Sequence, residues 1–540
     1  MNREIRYALE YHEATKHSEI SVQLSRHYLD WENKPRAFKI YTKLPSIPLP
    51  KHFCKPSLDA ITSVSGIKPV RSTTTPILDI KKLAEILFFS AGTTREMKYP
   101  FGNYYMRAAS ATGALYPIEL YVVCKDIPGL RSGIYHFCPG DFTLTELRIG
   151  DYRAELSSAA GDNGNIMASP VTIVLTSFAW RNAWKYQSRS YRHWFWDAGV
   201  IAANLLATCI SNSVHSCLIM GFIDNIVNHL LRLDDKTESS VAMAAIDIGL
   251  SKEPEIKAKE MMPSLPTPEV LPLSKKGEIE YPEIWKIHHA SYLHSIQEVK
   301  DWANSATAFK KRDLNTAILY SKPIRYEELS SSAPPSTSLG EVILRRGSSR
   351  RFTRTSISFT QLSNILYSST RGIPLDFIKE DQDSTVDVYM IVNDVNGLQR
   401  GSYFFNRSTD SLEQLGINVS RDMSGYLCLG QTLFSDASVI FFLMTDLQSV
   451  LKALGNRGYR ASQLEAGVIA GKIYLSAYAQ GIGASGSTFY DDAVTEFFSP
   501  HAKDKSTMIV IGVGIPSYKA RPGKILAGIL SKNQLLTGGF

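Results

Sequence analysis

The sequence predicts an α+β protein that is built from two tandem copies of one domain. Residues 119–137 match residues 387–405, and residues 189–202 match residues 457–470, both at an offset of 268. Because two separate segments rarely keep one register over such a distance by chance, we interpret the matches as a duplication. Helices and strands are mixed within each copy and do not alternate strictly, which favours α+β over a doubly wound sheet.

Each copy begins with an amphipathic helix, which is followed by strands. Apolar residues recur at helical spacing near residues 83–87 and 362–366, and they alternate with a period of two in the strands that follow. A glycine-rich turn joins the first two strands, and a long helix of small and apolar residues follows the third. The first and third strands pair between the copies as 120–124 with 388–392 and 171–175 with 439–443.

Composition divides the chain into four parts. Residues 1–55 are predicted to be an N-terminal extended arm ending in LPSIPLP, where the prolines fix φ and disfavour strand pairing. Residues 56–251 are the first domain, and residues 326–540 are the second. Between them, residues 252–325 are rich in Pro, Lys and Glu and are predicted to be a linker with one short helix.

The charge balance argues against a nucleic-acid surface. The 540 residues are 44% apolar and 21% charged, which is typical of soluble globular proteins. With 59 basic and 52 acidic residues the net charge is +7, but no long cationic tract runs along the chain. We therefore expect a local basic pocket and no nucleic-acid partner.

The sequence predicts neither membrane insertion nor metal binding. The N-terminus lacks an apolar targeting segment and no apolar run approaches membrane-spanning length, so we expect a cytoplasmic protein without a membrane partner. The six cysteines lack metal-like spacing and are expected to be reduced core thiols. His12 and His17 lie five positions apart, one more than HExxH requires to put both on one helical face, so no metal site is expected.

The two copies differ in complementary ways. The first helices of the copies match at an offset of 279, so the first copy carries 11 more residues before its first strand, and we assign these to residues 107–117 (RAASATGALYP). The basic cluster RRGSSRRF, at residues 345–352, occurs only in the second copy. At the offset of 279, its Arg346, Ser348 and Arg350 correspond to residues 67, 69 and 71, which are Ile, Pro and Arg. The second copy keeps a basic motif suited to binding an anion, and the first copy keeps a small-residue loop. Together they predict one composite site.

These motifs together resemble a known family. The pattern R-x-S-x-R, the loop ending in GALYP, and Lys185-Tyr186 before the helix that reads YR…AG are similar to the FMN-dependent nitroreductase superfamily. The nearer resemblance is to its SagB-type dehydrogenase branch, which includes thiazoline and oxazoline oxidases. Members are dimers that bind FMN at the subunit interface. The resemblance, which covers residues 60–250 and 325–520, implies two tandem nitroreductase-like domains, each a mixed or antiparallel sheet flanked by helices, fused into an intramolecular pseudo-dimer.

The resemblance implies a set of residues that bind FMN. Arg346 and Arg350 could each form charge-assisted bonds worth about 1.5–3 kcal/mol to its phosphate, with the Ser348 hydroxyl between them. The alternative is a solvated helix end whose arginines favour the dipole. The other candidates are the loop residues Ser110, Thr112 and Gly113, the backbone groups of Gly481, Gly483 and Ala484 near the flavin edge, and the bases Lys519 and Arg521.

Two features qualify these FMN candidates. The family usually has Pro-Ser-x-Gly in the loop, where this chain has Ser110 and Ala111 in place of the Pro and the Ser. A tight loop before a buried strand is the alternative there, and a helix C-cap is the alternative for Gly481.

Lys185 and Tyr186 are the candidate catalytic pair, because the resemblance assigns them as the base that takes a proton while hydride moves to FMN. The second copy has Ala453 and Leu454 at these positions. A lysine must lose its proton to act as a base, and burial beside Arg189 or Arg192 would lower its pKa from about 10.4. The alternative is structural packing of both side chains among neighbouring tryptophans.

The expected function is that of an FMN-dependent oxidoreductase moving hydride between a small or peptide-derived substrate and FMN at the interdomain interface. An NAD(P)H-dependent reductase of nitro compounds or quinones is one alternative, and a flavin-binding scaffold without turnover is another. The fused pseudo-dimer can complete its site within one chain. The sequence leaves open the substrate, the direction of hydride transfer and the second redox partner.

Overall fold

The computed structural model describes residues 1–66, 77–99, 102–247, 265–306, 318–324, 337–379 and 384–537. The residues at positions 67, 69 and 71, which correspond to the R-x-S-x-R motif, lie outside the described residues.

Two seven-stranded sheets confirm the predicted duplication, because corresponding strands occupy corresponding places. Neighbouring strands within both sheets pair in the antiparallel sense. The first sheet contains, in spatial order, β1 (Ser46–Pro48), β6 (Thr143–Ile149), β5 (Gly133–Cys138), β4 (Ile118–Cys124), β7 (Val171–Phe178), β9 (Glu238–Ile246) and β8 (Ser216–Ile219). The second contains β10 (Tyr320–Pro323), β15 (Ser411–Ile417), β14 (Gly401–Asn406), β12 (Asp387–Val392), β16 (Val439–Thr445), β18 (Ser506–Gly514) and β17 (Gly483–Ser487).

Two further strand pairs lie outside these sheets. A hairpin of β2 (Thr93–Tyr99) and β3 (Gly102–Arg107) precedes β4 in the first domain. A short parallel pair, β11 (Ile357–Ser358) with β13 (Val395–Asn396), lies in the second domain.

Helices flank both sheets, which confirms the α+β prediction. Those of the first half are α1 (Arg6–Ala14), α2 (Glu19–Gln23), α3 (Ala60–Ser65), α4 (Ile80–Ala91), α5 (Arg153–Ala159), α6 (Gly164–Ala168), α7 (Ala179–Tyr186), α8 (Ser190–Ser211) and α9 (Asp224–Leu230). Those of the second half are α10 (Pro282–Ala290), α11 (Ile296–Ala306), α12 (Leu339–Arg345), α13 (Phe359–Ser369), α14 (Arg421–Leu427), α15 (Thr432–Asp436), α16 (Leu447–Leu454), α17 (Arg457–Ala479), α18 (Asp491–Phe498) and α19 (Lys532–Thr537).

Local sequence explains where the key helices begin. Asp79 accepts a hydrogen bond from the Lys82 N–H and caps α4, and Ser358 forms a capping box with Gln361 at the start of α13. The central strands β7 and β16 are buried along their whole length, as their β-branched and aromatic side chains predict. One apolar core runs across both domains, so the two copies fold against each other.

The two long helices α8 and α17 form the centre of the pseudo-dimer. They approach closely because glycines face backbone across the contact. A Cβ on Gly199 would lie 2.5 Å from the Leu464 carbonyl oxygen, and a Cβ on Gly467 would lie 2.7 Å from the Trp196 carbonyl oxygen. Both glycines belong to the repeated AGVIA stretch, so each copy supplies the same contact to the other.

Reciprocal ion clusters tie the domains together. Asp491, the first residue of α18 in the second domain, pairs with Arg189 at 3.0 Å and with Arg192 at 2.8 Å in the first domain. Asp224, the first residue of α9 in the first domain, pairs with the counterparts of these arginines, Arg457 at 2.7 Å and Arg460 at 2.6 Å. The predicted intramolecular pseudo-dimer is therefore present, and its two-fold relation extends to buried charges.

The prediction of an extended N-terminal arm over residues 1–55 is wrong in two respects. The segment contains the helices α1 and α2, and its prolines do not prevent pairing, because β1 joins the sheet with Pro48 opposite Thr143. Proline is tolerated there because β1 is an edge strand, where a missing N–H can face away from the ladder.

The linker prediction also needs correction. The described residues between 265 and 324 hold two helices, α10 and α11, and the strand β10, where one short helix was expected. Trp285 and Trp302 of these helices are buried. Because β1 and β10 occupy equivalent edges of the two sheets, the repeated fold begins near residues 46 and 320, upstream of the predicted boundaries at 56 and 326.

One helical stretch, Ala179–Ser211, is long and apolar enough to cross a membrane, although no run of that length was expected. Of its apolar window, 89% is buried inside the protein, as for a core helix. All six cysteines are free, and four are buried, while Cys54 is exposed and Cys217 is partly buried. No cluster of potential metal ligands occurs among the described residues.

Candidate functional site

The basic cluster RRGSSRRF begins at the end of α12 and runs along the edge of the second sheet. The Ser349 N–H donates to the Ala484 carbonyl at 2.9 Å, so the cluster lies against β17. A Cβ on Gly483 would lie 2.1 Å from the Ser349 hydroxyl oxygen, which explains why glycine occupies this position. Gly483 and Ala484 therefore contact the cluster directly, whereas Gly481 has φ +73° at the end of α17 and faces open space.

Arg346 joins the second domain to the small-residue loop of the first. Its Nε donates to the Ala108 carbonyl at 3.1 Å and its Nη2 to the Arg107 carbonyl at 3.2 Å, and the side chain is only 5% exposed. Burial lowers the pKa of Arg346 from its usual value. Arg95 of β2 lies close by, and burial followed by the charge of Arg346 lowers the pKa of Arg95 as well. In the described part of the chain no carboxylate forms an ion pair with either arginine, so the buried guanidinium of Arg346 lies beside the half-buried one of Arg95. The Arg95 Nη2 donates to the carbonyls of Leu344 and Arg345 at 3.0 and 3.1 Å.

Hydroxyl groups surround this pair of cations. The Gly486 N–H donates to the Tyr474 hydroxyl at 2.6 Å, and the Ser348 hydroxyl lies 3.4 Å from the same phenol. Tyr116 and Tyr478 also lie close enough to act on Arg346 electrostatically. Neutral donors and acceptors thus surround positive charge that no described carboxylate pairs with.

Arg350 and the two C-terminal bases lie on the solvent side. The Arg350 N–H donates to the Tyr518 hydroxyl at 3.0 Å, and the Arg350 side chain is exposed. Lys519 and Arg521, which follow Tyr518, are exposed too, and no described contact joins either side chain to Arg346. The structure therefore buries Arg346, half-buries Ser348, and leaves Arg350 at the exposed surface with the two C-terminal bases.

The loop 107–117 folds as a tight turn between β3 and β4. Gly113, Ala114 and Tyr116 all have positive φ, near 62°, 54° and 51°, a region that only glycine adopts without steric cost. Thr112 donates from both its N–H and its hydroxyl to the Asp197 Oδ1, each at 2.8 Å. A small cavity beside this loop is lined by residues that include Ser110, Ala111, Tyr116 and Asp197.

Lys185 and Tyr186 end α7 and lie between the loop and the basic cluster. Burial and then the charge of Arg350 lower the pKa of Lys185. The expected neighbours Arg189 and Arg192 are instead held by Asp491, so a residue of the other domain acts on the lysine.

The Tyr186 phenol packs over the loop. A Cβ on Gly113 would lie 2.6 Å from the Tyr186 hydroxyl oxygen. The His193 ring packs edge-on to the Tyr186 ring at 4.6 Å. Burial and the carboxylate of Asp197 raise the pKa of Tyr186, while Arg350 opposes them.

Several residues of this region were not identified from the sequence. Asp197 could have been found, because it corresponds to Glu465 at the offset of 268 and a carboxylate inside an apolar helix is unusual. Tyr474 lies on α17 without any distinctive local motif. Nothing in the sequence pointed to Arg95, because no strand pair among the described residues of the second copy corresponds to its hairpin.

Comparison with known proteins identifies the domain. Residues 75–249 match the family model for the nitroreductase family. The first domain belongs to the nitroreductase family. Nitroreductases are oxidoreductases, so the match of this domain supports an oxidoreductase function.

Similar proteins are known in structure and in sequence. A crystal structure from Anabaena variabilis ATCC 29413, described as a nitroreductase, aligns with a TM-score of 0.72 at 24% identity and covers 94% of this chain and 99% of its own. At this identity the likeness shows the fold, and it spans both nitroreductase-like domains in one chain. A protein of Methanocaldococcus jannaschii described as a nitroreductase is 24% identical over 168 residues, which are 31% of this chain and 81% of that protein. The trifolitoxin-processing protein TfxB of Rhizobium leguminosarum bv. trifolii is 28% identical over 171 residues, which are 31% of this chain and 45% of TfxB.

In the second domain, the region that corresponds to the candidate site is filled by other parts of the chain. Trp302 of α11 donates from Nε1 to the carbonyl of Leu454, the counterpart of Tyr186, at 3.1 Å. A Cβ on Gly221 would lie 3.1 Å from the Trp302 ring, and the Gly221 N–H donates to the Asp376 carboxylate at 2.8 Å. The strand β8, which corresponds to β17, is therefore covered by the linker helix and by the segment that replaces the small-residue loop.

Proposed function

We propose that this protein is an FMN-dependent oxidoreductase of the SagB type that binds one FMN between its two domains. It would move hydride between that FMN and a small or peptide-derived substrate. The observation that carries the proposal is the contact of Arg346 with the carbonyls of residues 107 and 108, because it joins the two half-motifs into one cationic site.

The residues present fit the phosphate of FMN. Arg346 is buried and Arg95 beside it is half-buried, neither has a carboxylate partner in the described chain, and the buried Arg95 Nε has no hydrogen-bond partner there. Such donors are costly to bury unless an anion accepts from them. Arg346, Ser348 and Arg350 would hold the phosphate, and the Ser110–Gly113 loop with the β17 backbone would hold the ring system. Lys519 and Arg521 would contribute only if the rim closes over the ligand.

The catalytic roles follow from the position of α7. When bound, FMN supplies hydride transfer, and the chain supplies binding, orientation and proton movement. Lys185 would take or return the substrate proton at its Nζ, because burial and Arg350 favour its neutral form. The Tyr186 hydroxyl, over Gly113, would hold the substrate against the flavin. The Trp184 indole donates to the Asp30 carbonyl at 2.9 Å and so anchors α7 to the N-terminal segment.

The similarity to TfxB supports a peptide-derived substrate, since that relative is named as a trifolitoxin-processing protein. The names of the other two relatives support a second candidate, an NAD(P)H-dependent reductase of nitro compounds or quinones. Anaerobic addition of NADPH separates the two: rapid bleaching of bound flavin favours the reductase, and a flavin stable to NADPH favours the dehydrogenase. A cytoplasmic location accords with either candidate.

The decisive experiment is the ratio of flavin to chain in the purified protein. One FMN per chain is expected, because Trp302 and the Asp376 segment cover the equivalent position. Two FMN per chain, or none after reconstitution, would contradict the proposal.

Matched variants of neighbouring exposed arginines sharpen this test. We expect Arg350→Ala to weaken retention of FMN at least tenfold, which is the loss of about 1.5 kcal/mol from one charged hydrogen bond. Arg351→Ala removes the adjacent exposed arginine and should retain FMN as the parent does. Equal retention in the two variants would exclude Arg350 from the phosphate site.

A further inference from the structure

The buried carboxylate of Asp197 joins three elements of the candidate site. It lies on α8 and is 3% exposed. Its Oδ1 accepts two hydrogen bonds from Thr112 of the loop, and its Oδ2 accepts one from the Asn182 Nδ2 of α7 at 3.4 Å. No basic side chain forms an ion pair with it in the described part of the chain. The loop, α7 and α8 are therefore tied together at one acidic group.

Both hydrogen-bond partners of Asp197 lie next to structure that positions Tyr186. Asn182 lies one turn before Tyr186 on α7, and Thr112 precedes Gly113, the residue over which the phenol packs. A displacement of Asp197 would therefore move both surfaces that locate the Tyr186 hydroxyl. The carboxylate also acts on the phenol through its charge, since it contributes to the raised pKa of Tyr186.

The second domain contains a related hydrogen-bonded carboxylate, Glu465, whose partners are Ser384 and Thr385 and include no residue of α16, the helix that corresponds to α7. Glu465, the counterpart of Asp197, accepts from the Thr385 N–H at 2.9 Å and from the Thr385 hydroxyl at 2.6 Å. The position of Tyr186 is Leu454 there. The bond from a threonine to a buried helix carboxylate thus belongs to the duplicated fold, and among the described residues the further link to α7 and Tyr186 is found in the first domain. Glu465 is therefore an internal control.

We propose that Asp197 is a positioning residue for Tyr186, holding the phenol in place through Thr112 and Asn182 and biasing its proton affinity through the charge of the carboxylate. This inference rests on the proposed function only in giving Tyr186 a role in the reaction.

The charge of Asp197 changes near neutral pH. Burial raises the pKa of its carboxyl to about 7, against the lowering effect of its hydrogen bonds. The groups that face it are Asn182 and Tyr186 from α7, Thr112 and Tyr116 from the loop, and Arg107 from the end of β3, which lines the same cavity. Tyr186 should therefore sense a negative charge above neutral pH and lose that influence below it.

The test places difluorotyrosine at position 186 of the full-length protein and follows its ¹⁹F resonance from pH 5 to pH 9. In the parent, we expect a shift of the resonance as Asp197 ionises, before the phenol itself ionises. In Asp197→Asn this first shift should be lost, and the phenol should ionise at lower pH. Glu465→Gln should leave both unchanged. An unchanged profile in Asp197→Asn, or an equal change in Glu465→Gln, would overturn the proposal.

A second pair of variants keeps the test decisive if Asp197→Asn does not fold. Thr112→Val removes the hydroxyl donor and keeps the carboxylate, so the resonance should move while its pH-dependent step remains. Thr385→Val is the matched control and should leave the resonance in place. If Thr112→Val does not move the resonance, the positioning role is wrong. The readout requires no flavin, so a chain that binds no FMN would contradict the proposed function without deciding this inference.

Discussion

Individual charges at the site act across the domain boundary. Lys185 belongs to the first domain, yet the charged neighbour that lowers its pKa is Arg350 of the second. The arginines near Lys185 in sequence, Arg189 and Arg192, are paired with Asp491, and neither contributes to the lowered pKa of Lys185. The protonation of Lys185 therefore depends on how the two copies are docked.

At the residue scale, we predict that Arg350→Ala raises the pKa of Lys185, because it removes a positive charge that disfavours the ammonium form. The measurement is the pH dependence of acetylation of Lys185 by acetic anhydride, followed by mass spectrometry. The midpoint should move to higher pH in Arg350→Ala and stay in place in Arg351→Ala. An unchanged midpoint in Arg350→Ala would mean that burial alone lowers the pKa.

At the scale of elements, the crossing of α8 and α17 decides how the copies dock. Glycines at the crossing leave no room for a side chain, because the facing atoms belong to the backbone, which cannot rotate away. The same crossing orients α7, which precedes α8 and ends in the candidate catalytic pair. Packing at these glycines and the geometry of the site are thus linked through one helix.

We predict that Gly467→Val destabilises the protein by about 1–3 kcal/mol, since the new side chain would overpack against the Trp196 carbonyl. Thermal and denaturant unfolding measure the change. Gly164→Ala is the control, because a Cβ at Gly164 in α6 meets nothing within 4 Å. It should be neutral or slightly stabilising, as expected for alanine in a helix. Equal stability of Gly467→Val and the parent would show that the helices can separate without cost.

At the scale of the whole molecule, two buried charge clusters fasten the domains. Each cluster holds one carboxylate and two guanidinium groups from opposite domains, and all are almost fully buried. The two arginines hold the pKa of Asp491 well below its usual range. A carboxyl with a depressed pKa contributes stability above its unfolded pKa of about 3.9, and this contribution is lost as the pH falls.

We predict that Asp491→Asn destabilises the protein by about 3–5 kcal/mol at neutral pH, because it leaves two guanidinium groups buried without a counter-charge. Stability as a function of pH, measured by thermal unfolding, should lose part of its decline below pH 4 in this variant. Asp492→Asn changes the next carboxylate, which is 78% exposed and pairs with Lys16, and should alter stability by less than about 1 kcal/mol. Equal effects of the two variants would contradict the role of the buried cluster.

Much of the architecture could be predicted because duplication leaves a register in the sequence. The match of residues 119–137 with residues 387–405 predicted two copies, and the two sheets confirm it. The edge strands β1 and β10 were missed, since three or four residues with prolines carry no alternating pattern. Arg346 contacts the loop at 107–117 through two carbonyls, and the roles of the individual site residues remain predictions.

The sequence by itself determined the duplication and the complementary loss of motifs, because both are properties of register and residue type. Only the tertiary structure decided which charges meet: Arg350 acts on Lys185, Asp491 takes the nearby arginines, and Asp197 holds Thr112. It also showed that Trp302 covers the position equivalent to Tyr186. These contacts join residues that are more than 80 positions apart, and neither local propensity nor periodicity carries information about such distances.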